Sequence, residues 1–167
     1  MTVHEVNSLD LPGFLSAFGS IFEHSPWVAE RAYAGRPFAD LNTLHATMIE
    51  EVERAAFTEK LTLLRAHPDL GTRARLSQAS AAEQSGAGLD SLTPLEFERL
   101  HRLNAAYRKR FGFPFLLAVK HCTKDDVLQA LERRMDAAAE DEYREALQQV
   151  YRIARFRLED LVTEQVA

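Results

Sequence analysis

An all-α fold follows from three observations. Apolar residues recur at helical spacing through most of the chain, serine, threonine, proline and glycine punctuate those runs at intervals, and one short continuous apolar run interrupts the pattern. We therefore expect a single-domain bundle of about eight helices with one apolar extended or loop segment. The length agrees, since 167 residues suit one domain, and a domain of that size buries roughly two-thirds of the surface its unfolded chain exposes. Internal repeats, low-complexity tracts and a compositional break are absent, so residues 1–167 are read as one domain.

Taken in order, Phe14, Leu15, Phe18, Ile21 and Phe22 fall at i, i+1, i+4, i+7 and i+8, an amphipathic first helix that needs only a core to explain it. Ser25-Pro26 offers an N-cap before a proline at N1, and a short helix over 27–34 stops at Gly35 and Pro37. A third helix over 42–56 buries Leu44, Met48, Val52 and Ala55 and sets Glu50, Glu51, Glu53 and Arg54 mostly toward solvent. A short helix over 59–66 follows, with Thr58 as its expected N-cap.

That helix stops at the stretch carrying the chemistry, Ala66-His67-Pro68-Asp69-Leu70-Gly71. Pro68 disfavours the α conformation at His67, so the imidazole leaves the helix in a defined direction, and Gly71 permits a turn. Histidine is the side chain whose ordinary pKa, about 6.5, moves a proton near neutrality. A histidine at a helix end also serves simply to cap a carbonyl or fill space, and both readings stand on local grounds.

Beyond the motif, a small-residue segment containing Ser80, Ala81, Ala82, Glu83 and Gln84 reads as a short helix ending at Gly86. Ser80 and Glu83 share a helical face that could meet a polar ligand, yet Ser-x-x-Glu is also the capping-box pattern. Thr93-Pro94-Leu95-Glu96 is a cleaner capping box and opens a long helix with Leu100, Leu103, Tyr107 and Phe111 on one face; His101 and Arg102 fall off it. Gly112 ends that helix. Phe113-Pro114-Phe115-Leu116-Leu117-Ala118-Val119 is the apolar run, too short to cross a membrane and lacking a second strand to pair with, so a buried extended-to-helical segment offering backbone N–H groups is expected. Thr123 with Asp126 caps a helix that buries Val127, Leu128, Leu131 and Met135, and a last helix runs over 140–162. On its stripe of Tyr143, Leu147, Val150, Ala154, Leu158 and Leu161, Arg157 lies about 20° from Val150 and so points near the core. It either snorkels from the stripe edge or forms a carboxylate site.

Composition bounds the function. A net charge of −5 argues against nucleic acid as the default partner and leaves small anions open. The single Cys122 excludes an intramolecular disulfide framework and any CxxC motif, fitting a reducing cytoplasmic setting. No basic region followed by an apolar run opens the sequence, no stretch approaches a membrane span, and the ending Thr163-Glu164-Gln165-Val166-Ala167 lacks a peroxisomal Ser-Lys-Leu signal; we expect a soluble, cytoplasmic protein without membrane contact.

These residues resemble the 2-oxo-4-hydroxy-4-carboxy-5-ureidoimidazoline (OHCU) decarboxylase family over nearly the whole chain. The motifs are Glu23-His24-Ser25-Pro26-Trp27, His67-Pro68-Asp69-Leu70-Gly71, Ser80-x-x-Glu83-Gln84 followed by Ala87-Gly88-Leu89, Phe111-Gly112-Phe113-Pro114-Phe115, and Arg157. The resemblance implies decarboxylation to (S)-allantoin, the last step of urate degradation, without metal or organic cofactor. It implies an all-α homodimer, with possible functional coupling to urate oxidase and hydroxyisourate hydrolase. It further implies that His67 transfers the proton with Glu83 as acidic partner. Pro68, Ser80, Ala81, Ala82, Gln84 and the backbone of Phe115, Leu116, Leu117, Ala118 and Val119 then line the pocket, while Arg157 holds a charged or carbonyl group of the substrate. Leu116-Leu117-Ala118-Val119-Lys120 stands where members more commonly carry a Val-Ile-Cys-Ala-Arg type of ending.

Two other classes compete on the residues alone. A metal-dependent hydrolase could draw on His67, Asp69 and His24, His45, His101 or His121, although no pair has HExxH-like spacing. A non-catalytic helical binding module is the other, and the inward Arg157 and the acidic charge weigh against it.

Overall fold

In a computed structural model that describes residues 1–163, the chain is all-α, with no β-strand among those residues and one parallel bridge pairing Thr2 with Thr163. The expected bundle of about eight helices has nine helices among the described residues. The sequence ending read for a targeting signal lies, past Thr163, outside the described residues. The described residues form two compact units, one of 1–66 with 151–163, the other His67–Val150.

The first unit holds α1 (Val3–Ser8), α2 (Leu11–Phe18), α3 (Trp27–Ala32) with a 3-10 turn over Tyr33–Gly35, α4 (Leu41–Arg54) and α5 (Phe57–Arg65). Helix α1 escaped the periodicity reading because six residues cannot display a stripe; its signal is the Thr2/Glu5 capping box, in which Thr2 N donates to Glu5 Oε2 at 2.7 Å and Glu5 N to Thr2 Oγ1 at 3.3 Å. Helix α2 is shorter than expected. It starts behind Asp10, which accepts from Gly13 N, and stops at Phe18, so Ile21 and Phe22 reach the core from the following turn. Phe14 packs on Phe18, Tyr33 and Phe38, and α3 packs on α2 and on the Leu44, Met48 and Val52 helix α4.

Two expected caps are corrected. Ser25 does not cap α3: its hydroxyl donates to the Glu23 carbonyl at 2.9 Å and Pro26 is the N-cap residue. Thr58 lies inside α5, which begins at Phe57, because Glu59 accepts the otherwise orphaned Ala56 N–H at 3.0 Å and so fixes the start two residues earlier.

The second unit holds α6 (Gln78–Gly86), α7 (Pro94–Phe111), α8 (Lys124–Arg134) and the beginning of α9 (Ala139–Leu161), whose later turns belong to the first unit. Both capping boxes read from sequence form: Thr93 with Glu96 on α7 and Thr123 with Asp126 on α8. Lys124 pairs with Glu96 at 2.9 Å, and that ammonium, with the Thr93 N–H, holds the Glu96 carboxyl down at about 2. Gly112 closes α7 in the left-handed region, at φ 80°. Of the expected α9 stripe, Leu161 is exposed, since it sits at the helix end.

Candidate active site

The proton-transfer candidate is buried. Helix α5 ends at Arg65, with Ala66 N donating back to Thr62 O at 2.9 Å, and His67 follows outside the helix at 6% exposure. The turn beyond it is over-determined. Gly71 sits at φ 72°, which favours glycine, and a Cβ there would stand 2.5 Å from Leu100 Cδ2, so that side chain would have to shift. Three polar contacts clamp the turn from its own unit: Gly71 N donates to Gln84 Oε1 at 2.9 Å, Asn104 Nδ2 donates to the Leu70 carbonyl at 2.9 Å, and Arg108 Nη2 pairs with Asp69 Oδ1 at 2.9 Å. Asp69 is thereby committed to an arginine.

Helix α6 resolves the two readings of Ser80. Its N-cap is Ser77, whose hydroxyl accepts from Ser80 N at 3.2 Å, so Ser80 is the N3 residue rather than a cap. Ser80 and Gln84 are buried, Glu83 is half-buried, and Ala81 and Ala82 are exposed. The Gln84–Gly71 bond matters beyond its own energy, because it ties the helix carrying Ser80 and Glu83 to the turn carrying His67 and Pro68.

Residues 114–119 form neither helix nor strand and follow a bend at Phe113, so the helical part of the expected segment is absent. Phe115, Leu116, Ala118 and Val119 are buried and Leu117 is half-buried. Without a neighbouring strand, this backbone is held by side chains: Arg134 Nη1 donates to the Leu116 carbonyl at 2.6 Å, and Ala118 N donates to Gln149 Oε1 at 2.9 Å. Helix α7 serves both walls, since Asn104 grips Leu70 while Tyr107, one turn on, packs its ring on Phe115 at 5.3 Å. Tyr107 also donates to Glu142 Oε1, and burial together with that carboxylate pushes its phenol well above the ordinary range, so it stays protonated.

Arg157 lies in the first unit and is buried at 7%, as its place near the stripe requires. It does not snorkel. Its Nη1 stands 2.9 Å from Glu23 Oε2 and donates to the Ile21 carbonyl at 3.3 Å. The site residues therefore divide: His67, Pro68, residues 80–84 and residues 115–119 belong to one unit, Arg157 and Glu23 to the other.

Sequence reading missed Arg134, Gln149 and Asn104. A signal existed, because Arg134 continues Val127 and Leu131 at i+7 and lies on the apolar stripe of α8, the same anomaly that singled out Arg157. Among the described residues, no group of three His, Cys, Asp or Glu side chains could hold a metal ion, and no helix is long and apolar enough to cross a membrane.

Comparison with known proteins adds three likenesses to a family match. The family model described as OHCU decarboxylase matches residues 7–159. The 2-oxo-4-hydroxy-4-carboxy-5-ureidoimidazoline decarboxylase of Haloferax volcanii is 50% identical over 158 residues, covering 95% of this chain and 94% of that protein. The uric acid degradation bifunctional protein PucL of Bacillus subtilis is 47% identical over 98% of this chain, which spans 33% of PucL. A crystal structure of (S)-allantoin synthase superposes with a TM-score of 0.78 at 37% identity, covering 97% of this chain and 54% of the crystallised one.

Proposed function

This chain belongs to the OHCU decarboxylase family, and we propose that it releases CO2 from 2-oxo-4-hydroxy-4-carboxy-5-ureidoimidazoline to give (S)-allantoin, with His67 and Glu83 moving the protons. The observation that carries the residue assignment is the Gln84–Gly71 hydrogen bond, which fastens the helix of Glu83 to the turn of a buried His67.

The substrate supplies its own electron sink. Its carboxylate sits on a ring carbon that also bears a hydroxyl and adjoins a ring C=N bond. When the carbon–carboxylate bond breaks, its electron pair flows toward that imine, the imine nitrogen takes a proton and CO2 leaves. The resulting enol loses its hydroxyl proton and gains one at the neighbouring ring carbon, which becomes the stereocentre of allantoin. His67 serves the proton transfers at the hydroxyl and ring, oriented by Glu83, and delivery from one face gives the (S) product. Arg157 and the backbone N–H groups of residues 115–119 orient the carboxylate and carbonyl groups, and Pro68 and residues 80–84 complete the wall. This chemistry asks for no electron-sink cofactor.

The same reading takes residues 1–167 as one OHCU decarboxylase-like domain, acting as a homodimer in functional coupling with urate oxidase and hydroxyisourate hydrolase, which the family resemblance supports, and in the cytoplasm, which the single Cys122 supports. The test of the residue assignment is CO2 release by His67→Asn at unchanged far-UV circular dichroism. Loss of release is expected, and near-normal turnover contradicts it.

A further inference from the structure

Residues 115–119 present only apolar side chains, so whatever they do for a substrate they do with N–H and C=O groups held at fixed positions. Backbone outside helices and sheets has no ladder to hold it. Two buried side chains take the place of a ladder here. Arg134, 6% exposed, donates to the Leu116 carbonyl and lays its guanidinium over the Phe115 ring, 4.5 Å from the centroid. Gln149, 5% exposed, accepts from Ala118 N. Leu117, between the two grips, is the half-buried residue of the segment, and among the described residues its N–H donates to no backbone carbonyl.

The grips are themselves locked. Arg134 Nε donates to Glu142 Oε1 at 2.7 Å, Nη2 stands 2.5 Å from that oxygen, and Tyr107 Oη donates to it at 2.5 Å. Gln149 Nε2 donates to Glu145 Oε1 at 2.8 Å. A buried ion pair is a weak device for stability, since well-packed apolar residues serve as well or better. What an arginine supplies that a methionine does not is a planar fork linking a carboxylate to a backbone carbonyl.

We propose that Arg134 and Gln149 are positioning residues for the decarboxylation, fixing the backbone on either side of Leu117 so that its N–H faces the substrate. The inference rests on the reading that residues 115–119 line the substrate pocket of a decarboxylase.

The test compares Arg134→Lys, Gln149→Met and Val52→Ala with the wild-type chain, following kcat, KM, the pH profile and Tm. Val52→Ala truncates a buried core residue of α4 in the first unit and leaves both grips and their lock intact, so it reports the purely structural contribution. We expect Arg134→Lys to lose about tenfold or more in kcat/KM, chiefly in kcat, with the pH profile unmoved because neither His67 nor Glu83 is altered. Val52→Ala keeps kcat/KM within about twofold at a comparable drop in Tm. Should Arg134→Lys fail to fold, Gln149→Met decides: it is expected to lose kcat at a Tm loss no larger than that of Val52→Ala. Activity that falls only in proportion to Tm across the variants, or unchanged kcat in Gln149→Met, overturns the inference while leaving the decarboxylase reading intact. A wild-type chain without turnover overturns both.

Discussion

Gly71 and Gln84, thirteen residues apart, are joined by a 2.9 Å hydrogen bond from the Gly71 N–H to the Gln84 side-chain oxygen. Both residues are buried, so neither group has water as a substitute partner. Gln84→Leu strands a buried N–H, which typically costs about 1–3 kcal/mol. We expect that loss in chemical denaturation together with a fall in kcat, as the helix of Glu83 is no longer fastened to the turn of His67. Gln84→Glu keeps an acceptor and should retain most of both.

Gly71→Ala meets two separate obstacles. An L-residue in the left-handed region is strained by roughly 1–2 kcal/mol, and the new Cβ meets Leu100 Cδ2. Adding Leu100→Ala opens the space and leaves the φ strain, so the double variant should recover little, and its own cavity adds a further loss. Full recovery of Tm by the second substitution would show that space alone mattered.

Much of this was legible in sequence, and the failures have identifiable causes. The capping boxes at Thr93 and Thr123 and the stop at Gly112 were readable because each depends on residues within one helical turn. The direction of Arg157 was readable because helical geometry alone sets it. Its partner Glu23 was not, since the two stand 134 positions apart and local pattern holds no information about such pairing. The Ser-x-x-Glu ambiguity at Ser80 dissolved only when Ser77, an equally good cap, proved to hold the helix start. Arg134 carried a readable signal that passed unused: a charged residue on an apolar stripe marks a buried polar contact in α8 as in α9.

Glu23→Gln removes the carboxylate that pairs with the buried Arg157 guanidinium, and breaking a buried pair in this way costs about 3–5 kcal/mol. Replacing both residues, as in Glu23→Leu with Arg157→Met, should restore much of the stability while abolishing turnover. Urea denaturation read beside the activity assay separates these effects. A double variant that keeps normal KM and kcat would remove Arg157 from the substrate site.

His45 introduces a pH dependence in the first unit. Burial lowers its pKa below the ordinary value, and the opposing effect of the Nε2–H hydrogen bond to the Tyr151 carbonyl, at 2.8 Å, is the smaller one. The folded state therefore binds its proton less readily than the unfolded chain. The stabilising contribution is fully present above about pH 6.5, the unfolded value, and is lost as pH falls through the lower folded pKa. Thermal unfolding across that acidic range should show Tm falling more steeply for the wild-type chain than for His45→Gln. Parallel profiles would contradict this assignment.

The most direct measurement of the central claim generates the unstable ureidoimidazoline in situ from urate, using urate oxidase and hydroxyisourate hydrolase, and follows the circular dichroism of the allantoin that forms. With the wild-type chain added, accelerated appearance of the (S) enantiomer is expected, and with His67→Asn only the slow spontaneous reaction. Allantoin that forms at the spontaneous rate and without chirality in the presence of the wild-type chain would contradict the account.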